Sequence, residues 1–282
     1  SSLIDYRSSA QEFLDEEYEQ HQIDKDKVVE SGVPFAMHLV KRQTQVDEIT
    51  GNKLTQLISY RGGYYDSFER EFRGFRLLLQ TDTEATDAER KTPGFTAPIL
   101  SKTWYHIGEH IDQSRVGYYE GDGEAVALKP TKLERFHARD NAGEPLEPDE
   151  ATAREIARAL SGSTLRTEVF AADVPTVPYT VTEHRAQVRL LRSKGKQYPY
   201  SVLQVMGLES RSDQYEPELP NDPRCEHSLS LEWDEYGAVR HAFTVYYARR
   251  RTDEVPPFED EHENRYWKDA HDPAQQCWYL TQ

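Results

Sequence analysis

Short runs of alternating apolar and polar residues constrain the fold of this chain more than any other feature. Leu229, Leu231 and Trp233 alternate with polar residues, which is the period of two that a half-buried β-strand shows. The alternation resumes after an Asp-Glu-Tyr-Gly turn that ends at Gly237, a residue type that readily takes the positive φ of a hairpin loop. The span 228–248 is therefore predicted to form one β-hairpin.

Similar runs elsewhere predict more strands. The chain has 17 Tyr against 2 Met, and Tyr favours strands and half-exposed sheet faces. The predicted strands are 36–46, 53–60, 72–80, 102–108, 124–136, 165–171, 179–192 and 200–210. We therefore expect a mainly β, antiparallel fold.

One segment follows a helical period instead. Apolar residues at i, i+3, i+4 and i+7 predict a single short helix over 149–161: Ala153, Ile156, Ala157 and Leu160. Pro148 near its start and Gly162 after its end match the usual residues at helix termini. Loops are expected at 81–98, 212–224 and 252–275, where turn-forming and charged residues are frequent.

The charge balance argues against two classes of partner. The formal net charge is −16, which disfavours binding to nucleic acid and to anionic membrane surfaces. No apolar run approaches the roughly 18 residues that span a bilayer, so no membrane-spanning segment is predicted. Two acidic clusters, within 12–26 and 254–269, are expected to be solvated surface or mobile loop.

No set of residues predicts an active site. His106 and His110 have the H-x3-H spacing of a zinc-binding helix, but Gly108 lies between them and the context predicts strand and turn. The E-x-E pairs that start at Glu69, Glu216 and Glu261 are expected by chance among 50 acidic residues. We therefore expect no catalytic, cofactor-binding or metal-binding residue, and no enzymatic activity.

Two features leave alternatives open. Cys225 and Cys277 are too few for a disulfide framework, and whether they pair with each other is not decided by the sequence. Six aromatic residues from Tyr60 to Phe75 could stack on a sugar, but packing between sheets is the simpler interpretation.

The run from Ser59 to Phe75, SYRGGYYDSFEREFRGF, resembles a long motif of the B component of bacterial Tc insecticidal toxin complexes and of related SpvB-like proteins. Flanking segments agree in order along nearly the whole chain, and 233–239 resembles one Rhs or YD repeat unit. The candidate residues of this structural motif are Tyr64, Tyr65, Asp66, Phe68, Glu69, Arg70, Glu71, Phe72, Arg73, Gly74 and Phe75.

The resemblance implies a non-enzymatic part of a β-sheet shell that curves or spirals. In that family the B component joins a C component to form a hollow shell around a toxic effector, and docks on the channel of an A component. The implied partners are therefore the C component, the channel through the rest of the B chain, and the enclosed effector, in a secreted complex. We expect 1–282 to be one shell segment excised from a longer chain, with a possible subdivision into 1–147 and 162–282.

Within the motif, we expect Arg70 and Arg73 to form charge pairs with Glu69 and Glu71 on one strand face and the rings to lie on the other. Its glycines are expected to allow bends or bulges. Two other functions remain as alternatives: a free-standing β-sandwich module that binds carbohydrate or protein, and, more remotely, a domain associated with an SpvB-type ADP-ribosyltransferase.

Overall fold

The computed structural model describes residues 1–282 except positions 27, 52, 84–97, 126, 138, 141, 217–218, 251–257, 271–276 and 282. The strands are β1 Ser2–Ser8, β2 His38–Val46, β3 Lys53–Asp66, β4 Glu71–Thr83, β5 Ile99–Tyr105, β6 Lys132–His137, β7 Ala142–Pro145, β8 Thr164–Ala171, β9 Thr180–Arg192, β10 Val202–Glu216, β11 Leu219–Trp233, β12 Val239–Tyr246 and β13 Tyr279–Thr281. The helices are α1 Ser9–Ile23, α2 Glu150–Leu160 and α3 Glu261–Ala270.

All thirteen strands belong to one sheet. Its main path runs β1-β2-β3-β4-β5-β8-β9-β10-β11-β12-β13, and every neighbouring pair on this path is antiparallel. The β6–β7 hairpin lies off the path, because β6 pairs in parallel with the second half of β9 after β8 has ended. The sheet is open, with β1 and β13 at its two edges. The expected mainly β, antiparallel fold is confirmed.

Helix α1 covers a part of β3 that no strand pairs on that side. Strand β2 pairs with β3 only from Lys53 to Leu57, so the backbone donors that follow need other acceptors. The helix begins after Ser8, whose hydroxyl accepts a hydrogen bond from the N–H of Gln11 (3.2 Å). Two of its carboxylates then accept hydrogen bonds from β3: Glu12 from the N–H of Tyr60 (3.1 Å) and Glu16 from the N–H of Gly62 (3.1 Å). The helix thereby supplies hydrogen-bond acceptors for backbone N–H groups at the exposed edge of β3.

Helix α2 builds the best-packed apolar part of the molecule. Asp149 is its N-cap and accepts a hydrogen bond from the N–H of Thr152 (2.7 Å). Its apolar face buries Ile156 and Leu160 completely against Val188 of β9. Residues from β6, β9 and β10 surround this cluster, so the helix holds the branched part of the sheet together.

The strongest patterns in the sequence are confirmed by the structure. The hairpin at 228–248 is the β11–β12 pair, and Gly237 in its turn has φ 88°. The helix predicted over 149–161 is α2. The other predicted strands are present with shifted ends, except that 124–136 contributes only β6, because the residues before it form an irregular segment over the sheet.

Three expectations were wrong. Of the two alternatives for the acidic cluster in 12–26, solvated surface or mobile loop, the loop is wrong because most of it lies in helix α1; the described part of 252–275 contains helix α3, so the described residues include more than one helix. The loop expected at 212–224 is instead occupied by the ends of β10 and β11. Positions 217–218 of this range lie outside the described residues, and Pro220 and Pro223 lie where the β10–β11 ladder is interrupted between Leu219 and Arg224, so no ladder hydrogen bond needs their missing N–H groups. Most of 81–98 lies outside the described residues; of the part described, 81–83 belongs to β4.

Candidate functional site

The motif of 59–75 forms the β3–β4 hairpin and the tight turn at its tip. Asp66 closes this turn: its Oδ1 accepts hydrogen bonds from the N–H groups of Phe68 (3.0 Å) and Glu69 (3.1 Å). Its Oδ2 accepts a third from Nη2 of Arg73 (3.0 Å). Burial would raise the pKa of Asp66, but these hydrogen bonds outweigh it and the pKa is lowered.

Arg73 links the hairpin to helix α2. Only 4% of its side chain is exposed. Besides Asp66, it lies 3.3 Å from Glu71, and Glu71 lies 3.2 Å from Arg158 of α2. The carbonyl of Arg73 accepts a hydrogen bond from the hydroxyl of Ser161 (3.4 Å) at the end of α2. The side chain and the backbone of one residue therefore fix the position of α2 against the hairpin.

Arg70 differs from this pattern and corrects our expectation. It lies in the turn, not in the strand, with an exposed side chain and φ 55°, the left-handed conformation. Glu69 also lies in the turn and faces Arg158 at 3.9 Å, and the exposed ring of Phe68 stacks under the guanidinium of Arg154 at 4.3 Å. The charge pairs of the motif therefore join the hairpin to α2, and Arg70 takes no part in them.

The rings of the motif pack on one another. Phe72 and Phe75 are 5.5 Å apart, Tyr60 lies 5.0 Å from Phe75, and Phe35 contacts both Phe72 and Tyr65 edge-on. These contacts hold the segment around Phe35 against the hairpin. They support ring packing rather than a sugar-binding groove.

A bulge explains why Phe72 and Phe75 share one face. Residues three apart on a regular strand point to opposite faces. Here the register shifts: Tyr64 pairs with Gly74 while Tyr65 pairs with Phe72, which leaves an extra residue in β4. Gly74 has φ 107°, a conformation that favours glycine. The expected bulge at a glycine of the motif is therefore present.

A second group, a row of buried charges across the sheet, was not found from the sequence. Register places Trp104, Arg166, Glu183, Arg211 and His227 side by side on five successive strands, β5, β8, β9, β10 and β11. Within this charged row, Glu183 lies between Arg166 and Arg211. We define the charged face as these and the neighbouring buried pairs on the same side of the sheet: Arg166, Glu168, Glu183, Arg185, Arg189, Glu209, Arg211, Asp213 and His227.

Short contacts join the members of the charged face. Arg166 contacts Glu168 at 2.7 Å and Glu183 at 3.3 Å, and Arg211 contacts Asp213 at 3.0 Å. The other pairs are Arg185 with Glu209 (2.5 Å), His227 with Glu209 (2.9 Å) and Arg189 with Glu134 (2.5 Å). Paired and hydrogen-bonded charges of this kind specify register, because a shifted strand would leave a buried charge without a partner.

The irregular segment 106–131, of which all but position 126 is described, lies over the charged face. Its backbone takes part in the network: Glu168 accepts a hydrogen bond from the N–H of Tyr119 (2.8 Å), and Arg166 donates one to the carbonyl of the same residue (3.3 Å). Arg115 pairs with Glu183. Further along, Asp122 accepts a hydrogen bond from the hydroxyl of Tyr215 (3.1 Å). These contacts attach the irregular segment to the charged face.

Burial dominates the electrostatics under this segment. It raises the pKa of Glu183 even though Arg115 and Arg166 oppose the shift, and it raises the pKa of Tyr118 to about 12. For Asp122 burial also acts upward, but the hydrogen bond and charge of Arg250 outweigh it and lower the pKa. Both carboxylates nevertheless pair with guanidinium groups: Glu183 with Arg115 and Arg166, and Asp122 with Arg250.

Within the described part of the chain, no group of three or more His, Cys, Asp or Glu side chains is placed to hold a metal ion. His106 is buried beside a cavity of about 420 Å³, and burial lowers its pKa although Asp112 opposes this. Asp112 in turn accepts hydrogen bonds from the N–H and the hydroxyl of Thr131 (2.8 and 2.9 Å). The side chain of His110 is 73% exposed, beside Glu109.

The two cysteines do not bridge. Cys225 is a free thiol, and burial followed by the charge of Asp213 raises its pKa to about 12. Strand β12 lies between β11, which carries Cys225, and β13, which follows Cys277. The two strands are therefore separated by two inter-strand spacings of about 4.8 Å each, and the sum of these spacings exceeds the roughly 7 Å between Cα atoms that a disulfide can bridge. The pairing that the sequence left open is therefore absent.

Comparison with known proteins identifies the origin of this sheet. Residues 1–108 match the family model described as insecticide toxin TcdB middle/N-terminal region, and residues 155–282 match the one described as insecticide toxin TcdB middle/C-terminal region. The crystal structure of TcdB2-TccC3 is 33% identical, with a TM-score of 0.82 over 97% of this chain and 13% of that one. The chain belongs to the B-component family of Tc insecticidal toxins. The interpretation of the motif as a B-component motif is confirmed.

Other solved structures agree with this assignment. TcdB2-TccC3-Cdc42 is 33% identical, with a TM-score of 0.83 over 97% of this chain and 13% of that one. The Photorhabdus luminescens Tc holotoxin pore is 32% identical, with a TM-score of 0.81 over 96% of this chain and 12% of that one. The chain thus spans about an eighth of the length of these B-component relatives. No curated protein matches the sequence.

Among the described residues, no helix combines the length and the apolar character that crossing a membrane requires.

Proposed function

We propose that this chain is a wall segment of the shell that a toxin B component forms with its C component, and that it has no catalytic role. The observation that carries this proposal is the match along 97% of the chain to a B component in complex with TccC3. We further propose that the shell encloses a toxic effector, docks on the channel of an A component and acts as a secreted complex.

The architecture supports a wall. A wall must keep one strand order over a long distance, and here a path of eleven strands joins β1 to β13 without a break. Strand β5 belongs to the first matched region and pairs directly with β8 of the second. This pairing supports one shell segment over 1–282 rather than two units at 1–147 and 162–282. The charged row fixes the register of the central strands. Side chains are thus used for position, not for catalysis.

Both edges of the sheet offer surface for further pairing. On β1, Leu3 and Tyr6 are 63% and 58% exposed; at the other edge Trp278, just before β13, and Leu280, within it, are 66% and 65% exposed. A sheet edge carries backbone donors and acceptors that pair readily with another strand. We infer that neighbouring shell segments cover these edges in the assembled B component.

Co-expression of a full-length B component that contains this segment with its C component tests the proposal. Arg73→Ala should reduce the amount of B–C complex recovered, because Arg73 joins the hairpin to α2. Arg70→Ala, which removes an exposed arginine three residues away, is the matched control and should assemble normally. Equal recovery with both variants would argue against a structural role for the motif.

The isolated chain offers an independent test. With its edges uncovered it should self-associate or bind the C component, which light scattering and co-purification measure. A monodisperse monomer that ignores the C component would instead favour a free-standing binding module.

A further inference from the structure

The loop between β9 and β10, residues 193–201, is a cationic surface in an acidic chain. The chain has 50 acidic residues, yet none occurs from His184 to Leu208. Arg192 ends β9 at the base of the loop, Lys194 and Lys196 lie within it, and every residue from 191 to 200 is exposed. A local charge opposite to that of the whole molecule suggests that this surface meets something acidic.

Hydrogen bonds give the loop a fixed shape. Gly195 and Tyr198 exchange backbone hydrogen bonds of 2.8 and 3.1 Å across the tip. At the base, Ser201 accepts a hydrogen bond from the N–H of Lys194 (3.3 Å) and donates its own N–H to Glu155 of α2 (3.0 Å). A loop that is already ordered loses less conformational entropy on binding.

Two tyrosines accompany the cations. The guanidinium of Arg192 lies 3.7 Å from the ring centre of Tyr198, which holds that ring in place. Tyr198 and Tyr200 are 45% and 59% exposed and flank Pro199. Tyr and Arg are the residue types that most often carry binding energy at protein interfaces.

The charges of the loop are available to a partner. Among the described residues, no carboxylate forms an ion pair with Arg192, Lys194 or Lys196. The pKa of Asp149 is lowered mainly by its hydrogen bond from Thr152, and Lys194 adds only the weakest of its effects. The three cations are thus not neutralised within the fold.

We propose that this loop is a docking surface for an acidic protein segment that carries aromatic or aliphatic side chains among its carboxylates. The carboxylates pair with the three cations, and the apolar side chains pack on the two tyrosine rings. The net charge of −16 opposes every polyanion, and nucleic acid and anionic lipid present denser negative charge than three cations offset. An acidic polypeptide can present only a few carboxylates and also supplies side chains that pack on the two exposed rings, so it is the partner that the surface favours. This contact is separate from strand pairing at β1 and β13 and does not depend on the proposed wall function.

Binding of a random copolymer of Glu and Tyr to the chain, compared with poly-Glu, tests the proposal by fluorescence anisotropy at low salt. The copolymer should bind more tightly than poly-Glu, and the affinity should fall with added salt. Lys194→Glu with Lys196→Glu should weaken binding about tenfold or more, because two attractions become repulsions. Lys41→Glu with Lys53→Glu changes the net charge equally at exposed positions of β2 and β3, and should leave the affinity unchanged.

A second pair of variants tests the rings. Tyr198→Ser with Tyr200→Ser should remove the preference for the copolymer over poly-Glu while the salt dependence remains. If the charge reversal prevents folding, Lys194→Gln with Lys196→Gln replaces it. The proposal is overturned if the copolymer does not bind, if both lysine pairs have equal effects, or if phosphatidylserine vesicles bind the loop and the copolymer does not.

Discussion

Replacing Arg73 by Ala in the isolated chain should lower the free energy of unfolding far more than replacing Arg70. The Arg73 side chain is almost fully buried and donates a charge-assisted hydrogen bond to Asp66. Such a bond contributes about 1.5–3 kcal/mol, and the half-exposed contact with Glu71 adds about 0–1 kcal/mol. Loss of a buried ion-pair partner can cost about 3–5 kcal/mol. Here the cost should be lower, roughly 2–4 kcal/mol, because Asp66 keeps two backbone donors and Glu71 keeps Arg158.

Urea unfolding of the two variants measures this difference. Arg70→Ala should change the free energy of unfolding by less than about 0.5 kcal/mol. The Arg70 side chain is exposed, and arginine and alanine both carry a Cβ, so the positive φ at this position is equally unfavourable for either residue. The effect of Arg73→Ala should also depend on pH. The folded pKa of Asp66 is lowered, so its contribution is present above its unfolded pKa of about 3.9 and is lost as pH falls through the folded value. Equal losses for the two variants at pH 7, or a loss for Arg73→Ala that persists unchanged in acid, would refute the reasoning.

Three further predictions concern helix α1 and the segment after it. Glu12→Gln should cost about 1.5–3 kcal/mol in urea unfolding, because a carboxylate that is 1% exposed loses its charge between two arginines. Glu16→Gln should remove a pH dependence. Burial raises the folded pKa of Glu16 above its ordinary value of 4.5, so its contribution to stability is full below that value and is lost as pH rises through the folded pKa. The stability of the wild type relative to the variant should therefore fall from about pH 4 to about pH 7. Parallel stability curves for the two proteins would contradict this. Gly32→Ala should cost about 1–3 kcal/mol, because a Cβ would lie 2.0 Å from the carbonyl oxygen of Gly63, whereas Gly123→Ala has open space and serves as the control for thermal unfolding.

The fold was predictable where burial follows apolar side chains. Strand alternation located the β11–β12 hairpin, and the apolar spacing of Ile156 and Leu160 located α2, since both signals arise from a face that packs on the core. The long motif also placed Arg73 in a network of carboxylates. What the motif could not distinguish was Arg70 from Arg73, because the turn that separates their environments depends on hydrogen bonds to Asp66.

Helix α1 was missed because the face it buries is acidic. Its contacts with β3 come from Glu12, Glu16 and Glu19, which lie at i, i+4 and i+7 and therefore on one side of a helix. A search for apolar periodicity does not detect such a face. The same spacing applied to carboxylates, together with the S-x-x-Q capping pattern that starts at Ser8, would have indicated the helix.

The charged face was missed for a related reason, and it bears on what the sheet is built to do. In β8 the buried positions include Arg166 and Glu168, so the alternation that predicts a strand assigns the wrong face to the interior. Burying such pairs adds little stability compared with apolar residues of the same size, but a slip of one residue would turn each charge away from its partner. A self-contained domain can fix its register with a closed apolar core. If the proposed wall function is correct, this open sheet joins other segments at its edges and gains more from rows such as Arg166, Glu183 and Arg211, which specify the relative register of β8, β9 and β10 without a closed core.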